Sequence, residues 1–466
     1  MRISVLVCLQ VIMFVATSSS KIYKIDEIID EAVNNSKQLK IVEQELKKAE
    51  SQVQEAVGSA MPVVDASFNL SHAFSIYNPI LSSLSSSDGA ISRVLADENT
   101  SNYLKKSLQA GPGPAGSFNI NDLIKFPSNT ANLTLSLKQP IFAQGKIGVG
   151  VRIAKTYEVT LLCKYHDEKI KLIGSVTKLF YGALLSQKNV EIQREAVDVS
   201  IEEYRLAVMR FKGGTSSEFD TLTARLHFEN AGIDLKKAES DRRMAYVNLI
   251  TACGLKDEVA DFSVEGEFPQ ASFLISIDQV IENVKKNNNT LKQLKGISEV
   301  RNQMVQLAKK DFNPVVFAGA SIGKFGQFDK KFSSADWGNN EKVFIGVNWN
   351  LFSGTQKYQR LQQAIADRDS FLLSEQQVTD QLELSARNAY EQVLTNLDRL
   401  SSLNGVVKLA EKSHSIATKA YEIGSNTIFD VQNAELELNK ARISVNYALY
   451  AFTSALVDLK LLMGDL

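Results

Sequence analysis

An internal repeat limits the possible folds of this chain more than any other feature of its sequence. Residues 211–254 match residues 421–464 without a gap, at an offset of 210 positions. The matched pairs share their residue type or their role, and they include Phe211 with Tyr421, Gly214 with Gly424, Phe219 with Phe429, Asp220 with Asp430, and Gly254 with Gly464. In each copy, Ser, Thr or Asn residues follow the tip glycine, a combination that ends one helix and caps the next. The sequence therefore predicts two helical hairpins with similar tips.

Long stretches without proline lead into both tips. Neither 148–212 nor 355–422 contains a proline. At about 1.5 Å per residue, a helix of this length measures on the order of 90 Å. Such a helix does not fit inside a compact domain and has to pair with other helices, as in a coiled coil. We therefore predict helical hairpins at 148–252 and 355–463.

Four segments with a period of two interrupt the helical pattern, and they are predicted as strand pairs at 62–77 with 131–142 and at 315–328 with 343–352. A tilted strand needs about 9–11 residues to cross a bilayer. Four strands are too few to close a membrane barrel, and open edges are excluded from hydrocarbon. Several chains would have to share one barrel, with twelve strands from three chains or eight from two. An ordinary soluble sheet explains the alternation equally well, but it does not explain why both strand pairs interrupt long helices at equivalent places.

Along the chain, the sequence predicts a signal peptide followed by two structural repeats that a linker connects. Residues 1–18 have the pattern of a secretory signal, with Arg2 before a short apolar run and small residues at its end. The first repeat is predicted at 19–254, an irregular linker at 255–276, and the second repeat at 277–466. Each repeat should begin with one continuous helix, at 25–59 and at 277–310. The loop 78–128 is longer than its counterpart and holds an insertion.

Composition excludes several other classes of protein. Lys and Arg number 52 against 53 Asp and Glu, so no basic field points to nucleic acid. No catalytic arrangement, phosphate-binding loop or metal-ligand spacing is present, so we predict no enzyme, no cofactor and no metal site. Cys163 and Cys253 are interpreted as buried structural thiols, although the sequence leaves a disulfide open. The four histidines are interpreted as ordinary surface or interface residues, namely His72, His166, His227 and His414.

Four short motifs, repeated in order, resemble those of the TolC family of outer-membrane channel proteins. The strand-end motifs are 139–142 and 350–354, and the tip motifs are 210–220 and 421–434. The resemblance covers essentially the whole mature chain. It implies a mainly α protein with four transmembrane strands per chain, which completes a twelve-stranded barrel as a homotrimer in the outer membrane. It also implies a long helical extension into the periplasm, a periplasmic adaptor protein, and an inner-membrane pump of RND or ABC type.

The resemblance also implies a gate at the periplasmic tips. Its tip aspartates would be Asp220 and Asp430, with Tyr421 as a bonding partner. Asn433 and Asn426 stand where well-studied members carry an aspartate and an arginine. We therefore expect a gate that depends more on hydrogen bonds than on ion pairs. A simple helix-capping role remains the alternative for both aspartates, worth about 0.3–1 kcal/mol. The predicted adaptor-contact residues are Gly213, Gly214, Gly424 and Ser425.

Together these observations predict an outer-membrane channel of an efflux or type I secretion system, acting as a passive duct. The alternative is a periplasmic coiled-coil scaffold or a surface adhesin without a pore. The exported substrate cannot be identified from these residues.

Overall fold

The computed structural model describes residues 21–74, 128–256, 259, 262–270, 272–328 and 331–465. The expected signal peptide lies outside the described residues. So do positions 75–77 of the first predicted strand and nearly all of the loop 78–128.

Long helices dominate the described chain, which confirms the predicted fold class. The helices and strands, in chain order, are β1 (Lys21–Tyr23), α1 (Ile25–Asn35), α2 (Lys37–Gly58), β2 (Val63–His72), β3 (Asn129–Phe142), α3 (Lys146–Lys212), α4 (Glu218–Cys253), β4 (Phe262–Val264), α5 (Ile277–Asn287), α6 (Asn289–Lys310), β5 (Val315–Phe328), β6 (Asp336–Asn348), α7 (Gln356–Glu422) and α8 (Ile428–Met463). Two compact units contain them. One unit holds the residues up to Gln54, Val151–Gln306 and those from Gln359 onward, and the other holds Glu55–Gly150 and Leu307–Tyr358.

The helical unit repeats its hairpins residue for residue. The outgoing helices α3 and α7 both have 67 residues, and the returning helices α4 and α8 both have 36. Each hairpin has its own apolar cluster, and the fully buried Leu249 and Leu459 take equivalent places in the two clusters. The sequence repeat is therefore also a repeat of helix length and core position.

The helix that begins each repeat is broken, where the sequence predicted a continuous one. Ser36 and Asn288 interrupt the two helices with non-helical ψ angles of 116° and 122°. The Leu39 amide donates to the Ser36 hydroxyl at 3.2 Å, and the Leu291 amide donates to the Asn288 side-chain oxygen at 3.1 Å. Side chains that cap the next helix compete with the helical backbone, which explains breaks that do not need proline.

The predicted irregular linker 255–276 contains a short strand. β4 pairs in parallel with β1, with Tyr23 opposite Val264. Both residues are buried in the apolar cluster of the first hairpin, together with Phe262. A strand of three residues is too short to produce a recognisable alternation, and burial of its side chains holds it in place.

The second unit contains one antiparallel sheet with the strand order β2-β3-β5-β6. The last strand differs from the predicted 343–352, because it begins at Asp336 and ends at Asn348. Its early part has low β-propensity, but glycine leaves room for an aromatic ring across the strands. Trp337 packs over Gly326 and Phe344 packs over Gly319, each directly opposite in the register. The first strand also ends earlier than predicted, at His72.

The two cysteines of the described chain are free thiols. Cys253 is buried, and burial raises its pKa to about 11, whereas Cys163 is half-buried. Within the residues described, we find no helix that is both long enough and apolar enough to cross a membrane.

Candidate functional site at the hairpin tips

The tip of the first hairpin is a tight reversal after α3. Gly214 has a φ of +73°, which a residue with a side chain rarely adopts. The Thr215 amide and hydroxyl both donate to the Arg210 carbonyl, at 2.9 and 3.1 Å. These bonds satisfy a carbonyl in the last turn of α3. The next helix, α4, begins three residues after Thr215, at Glu218.

Asp220 caps the start of α4 from within its first turn. Its carboxylate accepts hydrogen bonds from the Ser216 hydroxyl at 2.6 Å and the Ser217 amide at 3.1 Å. The Asp220 amide in turn donates to the Ser217 hydroxyl at 3.1 Å, which completes a capping box. The Ser216 hydroxyl above all, and then the Ser217 bonds and the Arg210 charge, lower the pKa of Asp220 against the opposing effect of burial.

The second tip repeats this geometry with fewer partners. Gly424 has a φ of +82°, and the Ser425 amide and hydroxyl donate to the Ala420 carbonyl at 2.9 and 3.1 Å. The Asp430 carboxylate accepts from the Thr427 hydroxyl at 2.7 Å and from the Thr427 amide at 3.0 Å. These two bonds lower the pKa of Asp430, which is fully exposed. Both tip aspartates are thus helix caps within one chain, as the alternative reading of the sequence expected.

The two tips are joined by Arg210, a residue that the sequence did not single out. Its guanidinium donates to the Tyr421 carbonyl at 2.7 Å and lies 4.6 Å from the centre of the Tyr421 ring. The ring is 5% exposed and belongs to an apolar cluster with Ala207, Ala224 and Ile428. Burial raises the pKa of the Tyr421 hydroxyl, which has no hydrogen-bond partner in the described chain. The bonding at Tyr421 therefore uses its carbonyl and its ring face.

The other predicted site residues lie on the surface of the tips. Gly213, Gly214, Gly424 and Ser425 are exposed, and so are Asn426 and Asn433. Large apolar side chains are also exposed there, at equivalent positions of the two hairpins for Phe219 (75%) and Phe429 (62%). Neither Asn426 nor Asn433 takes part in the link between Arg210 and Tyr421. The link therefore does not involve the two positions where well-studied members of the family carry charge.

A second polar cluster lies further along the same helices and includes His227. His227 on α4 lies between Glu203 on α3 and Glu435 on α8, and both carboxylates are buried. No two of these residues are close in sequence, so residue spacing gave no sign of the cluster. A buried charged residue on a helix face, such as Glu435, was the available signal.

Duplicated helical hairpins combined with a four-stranded antiparallel sheet define a class of bacterial outer-membrane channels. The family model of the outer membrane efflux protein matches residues 98–255 and 280–465, and the chain belongs to that family. It is an outer-membrane channel component of an efflux or secretion system, which confirms the function and location predicted from the sequence.

Individual relatives agree with this assignment. The chain is 25% identical over 343 residues to the alkaline protease secretion protein AprF of Pseudomonas aeruginosa, covering 72% of this chain and 69% of that protein. It is 22% identical over 307 residues to the outer membrane protein TolC of Vibrio cholerae, covering 63% and 68%. Among solved structures, the Campylobacter jejuni CmeC outer membrane channel superimposes with a TM-score of 0.71 at 17% identity, covering 95% of this chain and 85% of that one.

Proposed function

We propose that this chain forms a passive export duct that closes at the periplasmic tips of its helical hairpins. The observation that carries the proposal is the link from Arg210 to Tyr421, which joins the two hairpins next to their tips. The link consists of one charge-assisted hydrogen bond and one cation–π contact. Arg210 is half-buried, and Tyr421 is buried. Interactions of this kind are worth about 1–3 kcal/mol, so they hold a closed state and still break when a partner protein binds.

Three chains would complete the membrane part. In the described sheet, β2 and β6 are edge strands, and all ten residues of β2 are exposed. Apolar side chains along β6 are also highly exposed, with Val343 at 85% and Ile345 at 78%. Unpaired edges and apolar faces support a closed sheet shared between neighbours in lipid, and twelve strands from a homotrimer leave room for a channel. If three chains share the barrel, we expect the protein purified in detergent to be a trimer.

The exposed tips are suited to an adaptor protein. Phe219, Phe429 and Ile423 expose 75%, 62% and 82% of their surface beside the predicted contact residues Gly213, Gly214, Gly424 and Ser425. Phe219 and Phe429 occupy equivalent positions on the two hairpins, and this repetition of an exposed apolar side chain supports a repeated docking surface. The adaptor would connect the duct to an inner-membrane pump of RND or ABC type. The relative named for protease secretion makes a secreted protein the first substrate class to test.

Single-channel conductance in planar bilayers tests the duct and its gate. We expect a small conductance for the wild-type trimer and a larger one when both Asp220 and Asp430 are changed to Ala, because both caps are lost. The double change to Asn keeps a capping oxygen and removes the charge. If rings of aspartate line the constriction, the Asn variant will lose cation selectivity at nearly unchanged conductance.

Two results would contradict this proposal. Unchanged conductance and selectivity in both double variants would remove the gate assignment from the aspartates. The absence of any conductance from correctly folded trimers would favour the scaffold or adhesin alternative. The duct itself is proposed to have no catalytic role, with energy supplied by the pump.

A further inference from the structure

Glu203, His227 and Glu435 form a cluster that joins three helices and both hairpins. Glu203 comes from α3, His227 from α4 and Glu435 from α8. One ligand atom from each residue can be chosen so that all three lie within 4.8 Å of one another. The three side chains therefore converge on one point inside the helical unit.

The distances do not fit direct hydrogen bonds. His227 Nδ1 lies 3.6 Å from a Glu203 carboxylate oxygen and 3.8 Å from a Glu435 carboxylate oxygen. Hydrogen bonds between nitrogen and oxygen measure about 2.7–3.2 Å. Tetrahedral zinc with bonds of about 2.0–2.2 Å separates neighbouring ligand atoms by roughly 3.3–3.6 Å. The two gaps at His227 are close to this spacing, while the three ligand atoms taken together lie within 4.8 Å of one another.

The burial of the carboxylates points in the same direction. The Glu435 side chain is 4% exposed and the Glu203 side chain is 11% exposed. All four carboxylate oxygens, and His227 Nδ1 as well, are buried without a hydrogen-bond partner in the part of the chain that the structure describes. A buried carboxylate without a partner is expensive, and two that face each other also repel. A protonated histidine supplies one positive charge for two carboxylates, whereas a divalent cation neutralises both.

A cavity borders the cluster on one side. A cavity of about 510 Å³ between α3, α4 and α8 is lined by His227, Glu435 and Asn439, among other residues. The cavity borders the His227 and Glu435 side chains, whose ligand atoms themselves are enclosed by the helices. Three protein ligands with one open position are typical of zinc sites that exchange a ligand.

The cluster occurs at one of the two equivalent places in the repeat, and the other place has different residues. The residues equivalent to Glu203, His227 and Glu435 are Ser413, Glu437 and Arg225. An arginine in place of Glu435 is unsuited to holding a cation. The cluster is therefore not a by-product of the duplicated core, since the duplicated core is present at both places.

We propose that Glu203, His227 and Glu435 bind a divalent transition-metal cation of the zinc type. One imidazole nitrogen and two carboxylates suit zinc, copper or nickel, whereas calcium prefers six to eight oxygen ligands. The bound ion ties α8 of the second hairpin to α3 and α4 of the first. If the proposed tip gate is correct, this metal link favours its closed state.

The test uses the mature full-length protein in detergent, stripped with a chelator and titrated with Zn²⁺ by calorimetry at pH 8. Burial and the neighbouring Glu203 raise the pKa of Glu435 to about 7, against the opposing effect of His227, so this pH limits competition from protons. We expect one Zn²⁺ per chain and at least tenfold weaker binding in His227→Ala and Glu435→Gln, because even the loss of an outer-shell partner costs 10–100-fold. Ca²⁺ should not compete.

Matched controls separate the cluster from other ligands on the surface. His166→Ala removes an exposed histidine, and Glu437→Gln removes an exposed carboxylate next to the cluster on α8. Both should bind Zn²⁺ like the wild type. Equal binding by wild type and His227→Ala, or no binding by the folded wild type, overturns the proposal. Circular dichroism and trimer formation establish that each variant is folded, and the binding result stands whether or not the tips gate conductance.

Discussion

The two hairpin tips share a backbone but differ in their polar connections. Both reverse at a glycine with positive φ, and both begin the returning helix with an aspartate cap. Asp220 is half-buried and has Ser216, Ser217 and Arg210 around it, whereas Asp430 is fully exposed and has Thr427 alone. The position equivalent to Arg210 is Ala420, so the second tip has no counterpart of the bond that Arg210 donates to the Tyr421 carbonyl. The duplication preserved the backbone and the core, and the polar residues diverged.

The largest loss of stability is expected at the buried core positions that the two hairpins have in common. Leu249→Ala and Leu459→Ala each remove a fully buried side chain at equivalent core positions. Each should destabilise the protein by about 2–5 kcal/mol, because a cavity replaces packed methyl groups. Thermal unfolding followed by circular dichroism measures both. Midpoints lowered by clearly different amounts would show that the two cores are not equivalent, and the exposed Leu409→Ala is the control for an unburied leucine.

Arg210→Ala tests the difference between the two tips directly, because it gives the first tip the residue that the second has at the equivalent position, Ala420. It removes the bond to the Tyr421 carbonyl and the contact with the Tyr421 ring, a loss of about 1–2 kcal/mol. If the link holds the closed state, the open probability in planar bilayers should rise roughly tenfold, since 1.4 kcal/mol corresponds to a factor of ten. Lys212→Ala removes an exposed charge two residues away and should leave the recordings unchanged. A similar rise in Lys212→Ala would instead indicate a general charge effect.

Single loss of the caps should affect the first tip more than the second. Asp220→Ala removes two carboxylate hydrogen bonds at a half-buried site next to Arg210, worth about 1 kcal/mol in comparable helices, and Asp430→Ala removes two bonds at an exposed site. Hydrogen exchange of the first turn of α4 and of α8 measures the two caps separately. Faster exchange at α8 than at α4 in these variants would reverse the order that the contacts predict.

Acid should loosen both tips in the same direction. The folded-state pKa values of Asp220 and Asp430 lie below the ordinary value of 3.8. A lowered carboxyl pKa contributes stability that is present above 3.8 and is lost as the pH falls through the folded-state pKa. Hydrogen exchange at the two tips should therefore be constant from pH 6 to about 4.5, after correction for intrinsic rates, and increase below that. An increase that survives in the double Asn variant would assign the acid effect to other groups.

The smallest effect is expected for Tyr421→Phe. The Tyr421 hydroxyl has no hydrogen-bond partner within the described residues, while the ring and the carbonyl hold Arg210. Stability and conductance should thus remain close to wild type, whereas Tyr421→Ala should destabilise the protein more than Arg210→Ala does, because it leaves a cavity in the apolar cluster while keeping the carbonyl that binds Arg210. A large change in Tyr421→Phe would mean that the hydroxyl gains a partner in the assembled channel.

Local periodicity explains what could be predicted from the sequence. Long helices, alternating strands and duplicated tips leave regular patterns, and the helices and strands were predicted from them, whereas the outer-membrane location followed from the family resemblance. The breaks at Ser36 and Asn288 were missed, because a side chain that caps one turn leaves no periodic trace. The short β1–β4 pair was missed for a similar reason, since burial of Tyr23 and Phe262 holds it in place.

The candidate sites were harder to predict, because their residues meet only after folding. Asp220 and Asp430 were found from the repeat and the family resemblance, but their capping bonds depend on loop geometry. Arg210 pairs with Tyr421, 211 positions away, and Glu435 meets His227, 208 positions away. At Arg210 the charge is absent from the other copy, and at Glu435 its sign is reversed, since the equivalent residues are Ala420 and Arg225. Differences between repeats are therefore a better guide to such sites than their similarities.

The pairing of β1 with β4 sets an order for folding during synthesis and export. Lys21 lies opposite Phe262, so β1 closes onto a strand that emerges only after more than half of the chain has been made. Tyr23, Phe262 and Val264 are all part of the first hairpin's apolar cluster, which cannot be completed before that moment. Contacts between segments far apart in sequence form slowly and leave apolar surface exposed in the meantime. The first hairpin therefore cannot complete its apolar core until the segment that follows it is available for pairing.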